Sequence, residues 1–320
     1  MRHNILITSA GKRVELLLEF KKELKLSFPH GQIIAVDLNP QMAPACHLAD
    51  KFYNVPRVTN PEYVDRLLKI CIENNVRLVI PTIDTELEIL SAASGQFKEN
   101  GIEIMISDHS FISMCRDKRL TISFFDQIGI KTPALIDKFN PSFPLFAKPY
   151  DGSLSTNIHI IHSPQELTHE ILSDPKLIFM ELVDTSVYEE FTVDMYYGDD
   201  NEVKCIVPRK RIEIRSGEIN KGATRKNDII EYLYNRMKHL PGVRGCICIQ
   251  LFYRESDGDI FGIEINPRFG GGYPLSYHAG ANFPAMMIQE YIHEHKLVYF
   301  TDWQDNTIML RYDSQVILHG

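Results

Sequence analysis

The sequence predicts a chain of two fold classes, α/β in its first third and α+β beyond it. Three observations carry this. Over the first hundred residues, apolar runs of strand length alternate with segments of helical period. From about residue 140 strands follow one another with few helices between them, and near the C-terminal end a hairpin carries a carboxylate and an amide on one face. Continuous apolar strands separated by helices are what a parallel sheet covered on both faces requires.

The elements follow in order. "NILITSA" (4–10) reads as a buried strand ending in small residues, and "KRVELLLEFKKEL" (12–24) as a helix. "QIIAVDLN" (32–39) is a second strand, "EYVDRLLKICIENN" (62–75) a helix, "VRLVIP" (76–81) a third strand, "TELEILSAASGQFKEN" (85–100) a helix and "IEIMIS" (102–107) a fourth strand. Residues 1–112 are therefore expected to form a Rossmann-like domain. Its first turn, "TSAGKR" (8–13), holds one glycine where G-x-G-x-x-G needs three, so no dinucleotide site is expected there. A helix over 116–129 stops at Gly129. "FPLFAKPYDGSLSTNIHII" (143–161) reads as strand, loop, strand, and strands are expected over 177–183 and 188–198. The segment "RIEIRSGEINKGATRK" (211–226) is expected to be a basic, mobile stretch that orders over substrate.

Composition narrows the function. With 320 residues and 44% apolar side chains, two or three cores can be filled. A net charge of −8 argues against a nucleic-acid partner, which would call for a broad basic surface. No apolar stretch has the length of a membrane span or a signal-peptide core, and six scattered cysteines lack disulfide or zinc spacing. A reduced, cytoplasmic protein is expected, and apolar Phe300 and Trp303 are expected to be exposed where a homodimer could form.

The hairpin is the most informative stretch. Side chains alternate along a strand, so Glu264 and Asn266 point the same way. Gln250 joins them only if it pairs with Glu264. A two-residue turn at Asp257–Gly258 would pair it with Ile265 instead, so an odd loop such as Ser256–Asp257–Gly258, with the glycine at positive φ, is expected. Three oxygen-bearing side chains on one face suit a hard cation that shares its shell with phosphate, and Arg268 stands at the same edge as a planar donor. A solvated polar sheet face is the alternative reading. Thr82, Asp84 and Glu86 sit just past a strand's C-terminal end, where open α/β sheets bind ligands; Asp84 and Glu86 are substrate candidates, and capping of the next helix is the competing role.

Gln250 followed by Glu264-x-Asn266-Pro267-Arg268 resembles the magnesium hairpin of ATP-grasp enzymes, especially the large subunit of carbamoyl-phosphate synthetase, here as a single grasp. The resemblance implies an ATP-grasp domain over 113–320, with a lid lobe at about 140–182 and a metal-binding lobe at about 183–320. It implies ATP with Mg²⁺ or Mn²⁺ on Gln250, Glu264 and Asn266. Lys118 and Lys148 would contact phosphates, with the loop Gly152, Ser153, Ser155 closing over them. Glu181 and the Val183 backbone would hold adenine, and Glu190 the ribose. Arg268, Lys148 and Arg211 would act in catalysis, with Arg209 and Gly271 near the substrate. The implied activity is a carboxylate–amine ligase working through an acyl phosphate with release of ADP and phosphate, its acceptor an amino acid or small peptide. A nucleotide-binding protein without turnover, and a carbamoyl-phosphate-type or thiol ligase, are the alternatives.

Overall fold

A computed structural model describes residues 3–152, 157–215 and 217–318. The first sheet is parallel and contains β1 (Asn4–Ile7), β2 (Ile33–Asp37), β3 (Lys51–Asn54), β4 (Val76–Ile80) and β5 (Glu103–Ile104), in the order β3-β2-β1-β4-β5. Helices α1 (Val14–Ser27), α2 (Pro44–Leu48), α3 (Tyr63–Glu73) and α4 (Asp84–Glu99) cover its faces. The central strands are apolar on both sides because both are covered: Ile5, Ile7 and Ile33 enter one core, Leu6, Ile34 and Val36 the other. Strand β3 has no counterpart in the expected elements. "KFYN" is an edge strand and largely exposed, so it carries no apolar run by which sequence could mark it.

Two helices, α5 (His109–Arg116) and α6 (Lys118–Gln127), lead into a small antiparallel sheet of β6 (Leu145–Pro149), β7 (His159–Ile161) and β8 (Leu177–Glu181), with β6 in the middle and α7 (His169–Ser173) behind. Asp117 separates α5 from α6, and its carboxylate accepts the Arg119 N–H as an N-cap. The third sheet holds β9 (Glu189–Tyr197), β10 (Val203–Arg215), β11 (Glu218–Thr224), β12 (Gly245–Arg254), β13 (Asp259–Asn266) and β14 (Ile308–Leu310), in the order β13-β12-β9-β10-β11-β14. Helix α8 (Ile229–Met237) packs on one face; α9 (Tyr273–His278) and α10 (Phe283–Tyr291) join α1 in a core shared with the first sheet. Among the described residues, no helix is long and apolar enough to cross a membrane.

Three expectations are corrected here. The stretch 211–226 is not a mobile loop: Arg209 pairs with Thr224 and Arg211 with Gly222, so most of it is hairpin. Trp303 is 2% exposed and belongs to the core under α10, so it offers no surface to a partner, and Phe300 is partly buried against the same core. The β12–β13 register is reached by a different route from the odd loop. Gln250 does face Glu264, but Arg254 pairs with Asp259 across the four-residue loop 255–258. The extra residue is Ile263: Leu251 pairs with Gly262 and Gln250 with Glu264, a β-bulge that shifts every later side chain by one place. Gly258 has φ +72°, the left-handed geometry expected of it.

One buried acid sets a pH response of the fold. Glu290 on α10 accepts the Tyr196 hydroxyl at 2.8 Å and the Asp199 N–H at 3.0 Å, and burial pushes its carboxyl up to about 7. Its contribution to stability is present in full below the ordinary glutamate value and is lost as pH rises to about 7. Glu290→Gln should therefore flatten the decline in denaturant midpoint between pH 4 and pH 8, by on the order of 3 kcal/mol at about 1.4 kcal/mol per unit.

Candidate active site

The three sheets enclose a cavity of about 690 Å³. The wall formed by the small sheet is apolar where it faces inward. Phe146 pairs with Ile160 and Met180, and these side chains lie on the same face as Lys148, two residues along β6. The opposite face of that sheet carries Leu145, Ala147, Leu177 and Phe179 in a core of their own. An inward apolar shelf opposite Phe252 and Ile263 suits a flat, weakly polar ring. Glu181 and Val183 stand at the end of this shelf, and Glu181 Oε2 accepts the Ala134 N–H at 3.4 Å.

The opposing wall is polar. The bulge at Ile263 brings Glu264 level with Gln250, and Asn266 Nδ2 donates to Glu264 Oε1 at 3.0 Å. Lys118 lies at the N-terminus of α6, 3.8 Å from Glu264 Oε2, and its Nζ donates to the Gly152 carbonyl at 2.6 Å. Lys148 lines the same space. Burial lowers its ammonium to about 8, against the pull of Glu264 and with the help of Lys118. A phosphate bound between the two lysines needs both charged. kcat/KM for ATP should then fall as pH rises past about 8, where free Lys148 loses its proton, and Lys148→Arg should move that fall out of the measurable range.

Gln250, Glu264 and Asn266 supply one carboxylate and two amide oxygens. No group of three His, Cys, Asp or Glu among the described residues could close around a metal by itself. The donor set therefore fits a hard cation that completes its shell with water and phosphate, not a cage built by protein alone.

Glu190 and Arg211 form an ion pair across β9 and β10, and Arg211 Nη2 also donates to the Gly217 carbonyl at 2.9 Å. Burial raises the Glu190 carboxyl although Arg211 draws it down. Ser153 and Ser155 lie outside the described residues. Asn157, at the end of that loop, has φ +53°.

Three candidates have other employment. Glu86 is fully buried and turned away from the cavity. It accepts Thr8 Oγ1, Ser9 Oγ, Tyr63 OH and the N–H groups of Thr82 and Ile83, tying the ends of β1 and β4 to the start of α4. Such a carboxylate has no lone pair left for substrate. Arg209, 1% exposed, gives Nε and Nη2 to Asp194 at 2.7 and 2.9 Å; Asp194 also accepts Ser276 Oγ at 2.6 Å and the Cys248 thiol at 2.8 Å. Arg209 is thus the floor of the cavity, since its charge is already matched. The glycines after Arg268 serve that floor. A Cβ on Gly272 would fall 2.3 Å from Arg209 Nη1, and one on Gly271 2.8 Å from Glu218 Oε1. These glycines admit the protein's own side chains, where close approach to a substrate was expected.

Arg268 donates to Asp84 Oδ2 at 2.7 Å and to Asn266 Oδ1 at 3.1 Å, joining the start of α4 to the end of β13. Asp84 is thereby placed on the cavity, unlike Glu86. The residue that the motifs did not disclose is Arg13, from the turn after β1, which lines the cavity beside Thr82. The rule that ligands gather at the C-terminal ends of parallel strands would have found it.

Residues 5–105 match the family model described as "PylC-like, N-terminal domain", and residues 173–312 match "ATP-grasp in the biosynthetic pathway with Ter operon". The ATP-grasp match thus takes in the third sheet and the hairpin that carries Gln250, Glu264 and Asn266. The chain is similar in fold to the biotin carboxylase domain of Hydrogenobacter thermophilus 2-oxoglutarate carboxylase, with TM-score 0.72, 14% identity, and coverage of 96% of this chain and 73% of that one. N5-carboxyaminoimidazole synthetase from Staphylococcus aureus gives TM-score 0.70 and 13% identity over 96% and 80% of the two chains. L-amino acid ligase from Bacillus licheniformis gives 0.67 and 17% over 91% and 75%. No curated protein matches in sequence. At these identities the solved structures speak for the fold alone, a parallel N-terminal sheet followed by two antiparallel ones.

Proposed function

We propose that this protein is an ATP- and Mg²⁺-dependent carboxylate–amine ligase. The observation that carries the reading is the bulge that sets Glu264 level with Gln250, 3.8 Å from Lys118, on the wall facing an apolar shelf. The shelf and Val183 receive adenine, with Glu181 at its edge, and Glu190 meets the ribose. Lys118 and Lys148 hold the phosphate chain. Gln250, Glu264 and Asn266 hold the cation, which when bound spreads the charge of the transferring phosphoryl group. Two of the fold neighbours are complexes with ADP, one of them with its magnesium salt, which supports the same ligands here.

A carboxylate oxygen of the substrate attacks the γ-phosphorus, the bond to the β-phosphate oxygen breaks, and ADP leaves. An amine then attacks the acyl phosphate, phosphate departs with the bonding electrons, and the nitrogen loses a proton. The protein's part is positioning and charge neutralisation. Arg268, held between Asp84 and Asn266, faces the charge that develops on the substrate's oxygens.

Nucleotide product analysis tests this. With Mg²⁺ and ATP, ADP and phosphate should form only when a carboxylate and an amine are both supplied. AMP and pyrophosphate would mean adenylation and overturn the mechanism; bound ATP without product from any pool would overturn the ligase reading.

A further inference from the structure

Charges around the cavity can be paired off. Arg209 is matched by Asp194, Arg211 by Glu190, Arg268 by Asp84, and Lys118 stands 3.8 Å from Glu264. Glu218, beside Gly271, is taken by Arg311 at 2.9 Å. Lys148 and Lys118 face the phosphate side on the ligase reading. Two further cations line the cavity without an ion pair among the described residues: Arg116, at the end of α5 on the side of the phosphate loop, where its charge acts on Asp151, and Arg13 on the side of the first sheet. Arg13 has no carboxylate within 4 Å among the described residues, and its single hydrogen bond to a described residue runs from Nη2 to the Thr82 carbonyl at 3.1 Å.

A half-buried guanidinium facing a cavity with no counter-ion is a net cost to the fold. Burial and the neighbouring charge of Arg268 both work against its charged form, and the more distant Glu218 and Asp84, each already paired, offset this only in part. A ligand that brings an anion to Arg13 removes that cost, and the planar fork of the guanidinium matches a carboxylate in two-point fashion. Position decides which anion. Contacts run from Lys118 to Glu264, from Glu264 to Asn266, and through Arg268 to Asp84, so Arg268 is the guanidinium next to the cation-binding residues. Arg13 lies past it, against Thr82 on the first sheet's strand ends. The group on Arg13 is therefore not the one being phosphorylated.

We infer that Arg13 binds a second, non-reacting carboxylate of the acid substrate, so that this substrate is a dicarboxylate, such as an acidic amino acid. The inference rests on the ligase reading and narrows it. Arg13 acts as a specificity residue supplied by the N-terminal domain, which explains why the cavity extends to that domain's strand ends.

The test compares ADP release by the full chain with aspartate, glutamate and succinate against asparagine, glutamine and propionate, each with ammonia and with an amino-acid pool as amine. kcat/KM should be at least tenfold higher for a dicarboxylate than for its one-carboxylate counterpart. Arg13→Met should raise KM for the dicarboxylate ten- to a hundredfold and erase the preference, while KM for ATP stays within twofold; Arg13→Lys should restore part of it. A role in folding alone would disturb ATP binding equally and would not depend on which acid is supplied. Equal use of both sets of acids, or an unchanged preference in Arg13→Met, overturns the inference and leaves the ligase standing. ATP binding without ADP from any acid overturns the ligase reading and this inference with it.

Discussion

Replacing Glu264 with alanine should lower Mg²⁺-dependent ADP release by about three orders of magnitude, roughly 4 kcal/mol of transition-state stabilisation. Glu264 is the one carboxylate among the three candidate cation ligands, and amide oxygens alone hold a divalent ion poorly. It also supports the charge on Lys148, which Lys118 and burial oppose. The variant should therefore lose phosphate affinity as well as the cation, and raising Mg²⁺ should rescue little. ATP binding by calorimetry and ADP release against Mg²⁺ concentration would show both losses. Full activity in Glu264→Ala would remove the cation site from β12 and β13.

Asp194→Ala is expected to have the largest effect on stability. It strands Arg209, 1% exposed, as a buried cation, and deprives Ser276 and Cys248 of their acceptor. Breaking a buried pair from one side costs about 3–5 kcal/mol, which for a chain of this size lowers Tm by roughly 5–10 °C. The double variant Asp194→Leu with Arg209→Met leaves no uncompensated charge and should be more stable than Asp194→Ala. If the double variant were instead the less stable, the pair would be a net source of stability and not a mutual neutralisation. Because Gly272 lies against Arg209, the double variant should also loosen the turn after Arg268 and raise KM for the substrates.

Much of the fold was legible because its strongest signals are local. Apolar runs in β1, β2 and β4 follow from burial on both faces, and the helices between them follow from their 3.6-residue period. Edge strand β3 carries no such signal, whereas β5 was marked by the apolar run at 102–107, of which two residues pair. The pairing of Gln250 with Glu264 could be demanded from chemistry, yet its cause could not be read. A bulge at Ile263 and a three-residue loop produce the same face, and only strand pairing tells them apart.

By itself the sequence determined the alternation of the main strands and helices and the motif residues on β6, β12 and β13 that face the cavity, because periodicity and chain spacing are properties of neighbours. Tertiary structure alone decided which charges are already spent. Glu86 and Arg209 read as available side chains, but Glu86 is saturated by groups 3 to 78 positions away along the chain and Arg209 is matched by a carboxylate 15 positions away. Arg13 read as a helix-start residue and proved to line the cavity without an ion pair among the described residues. Availability depends on what stands within hydrogen-bond reach, and that is set by packing between the sheets, which no local pattern encodes.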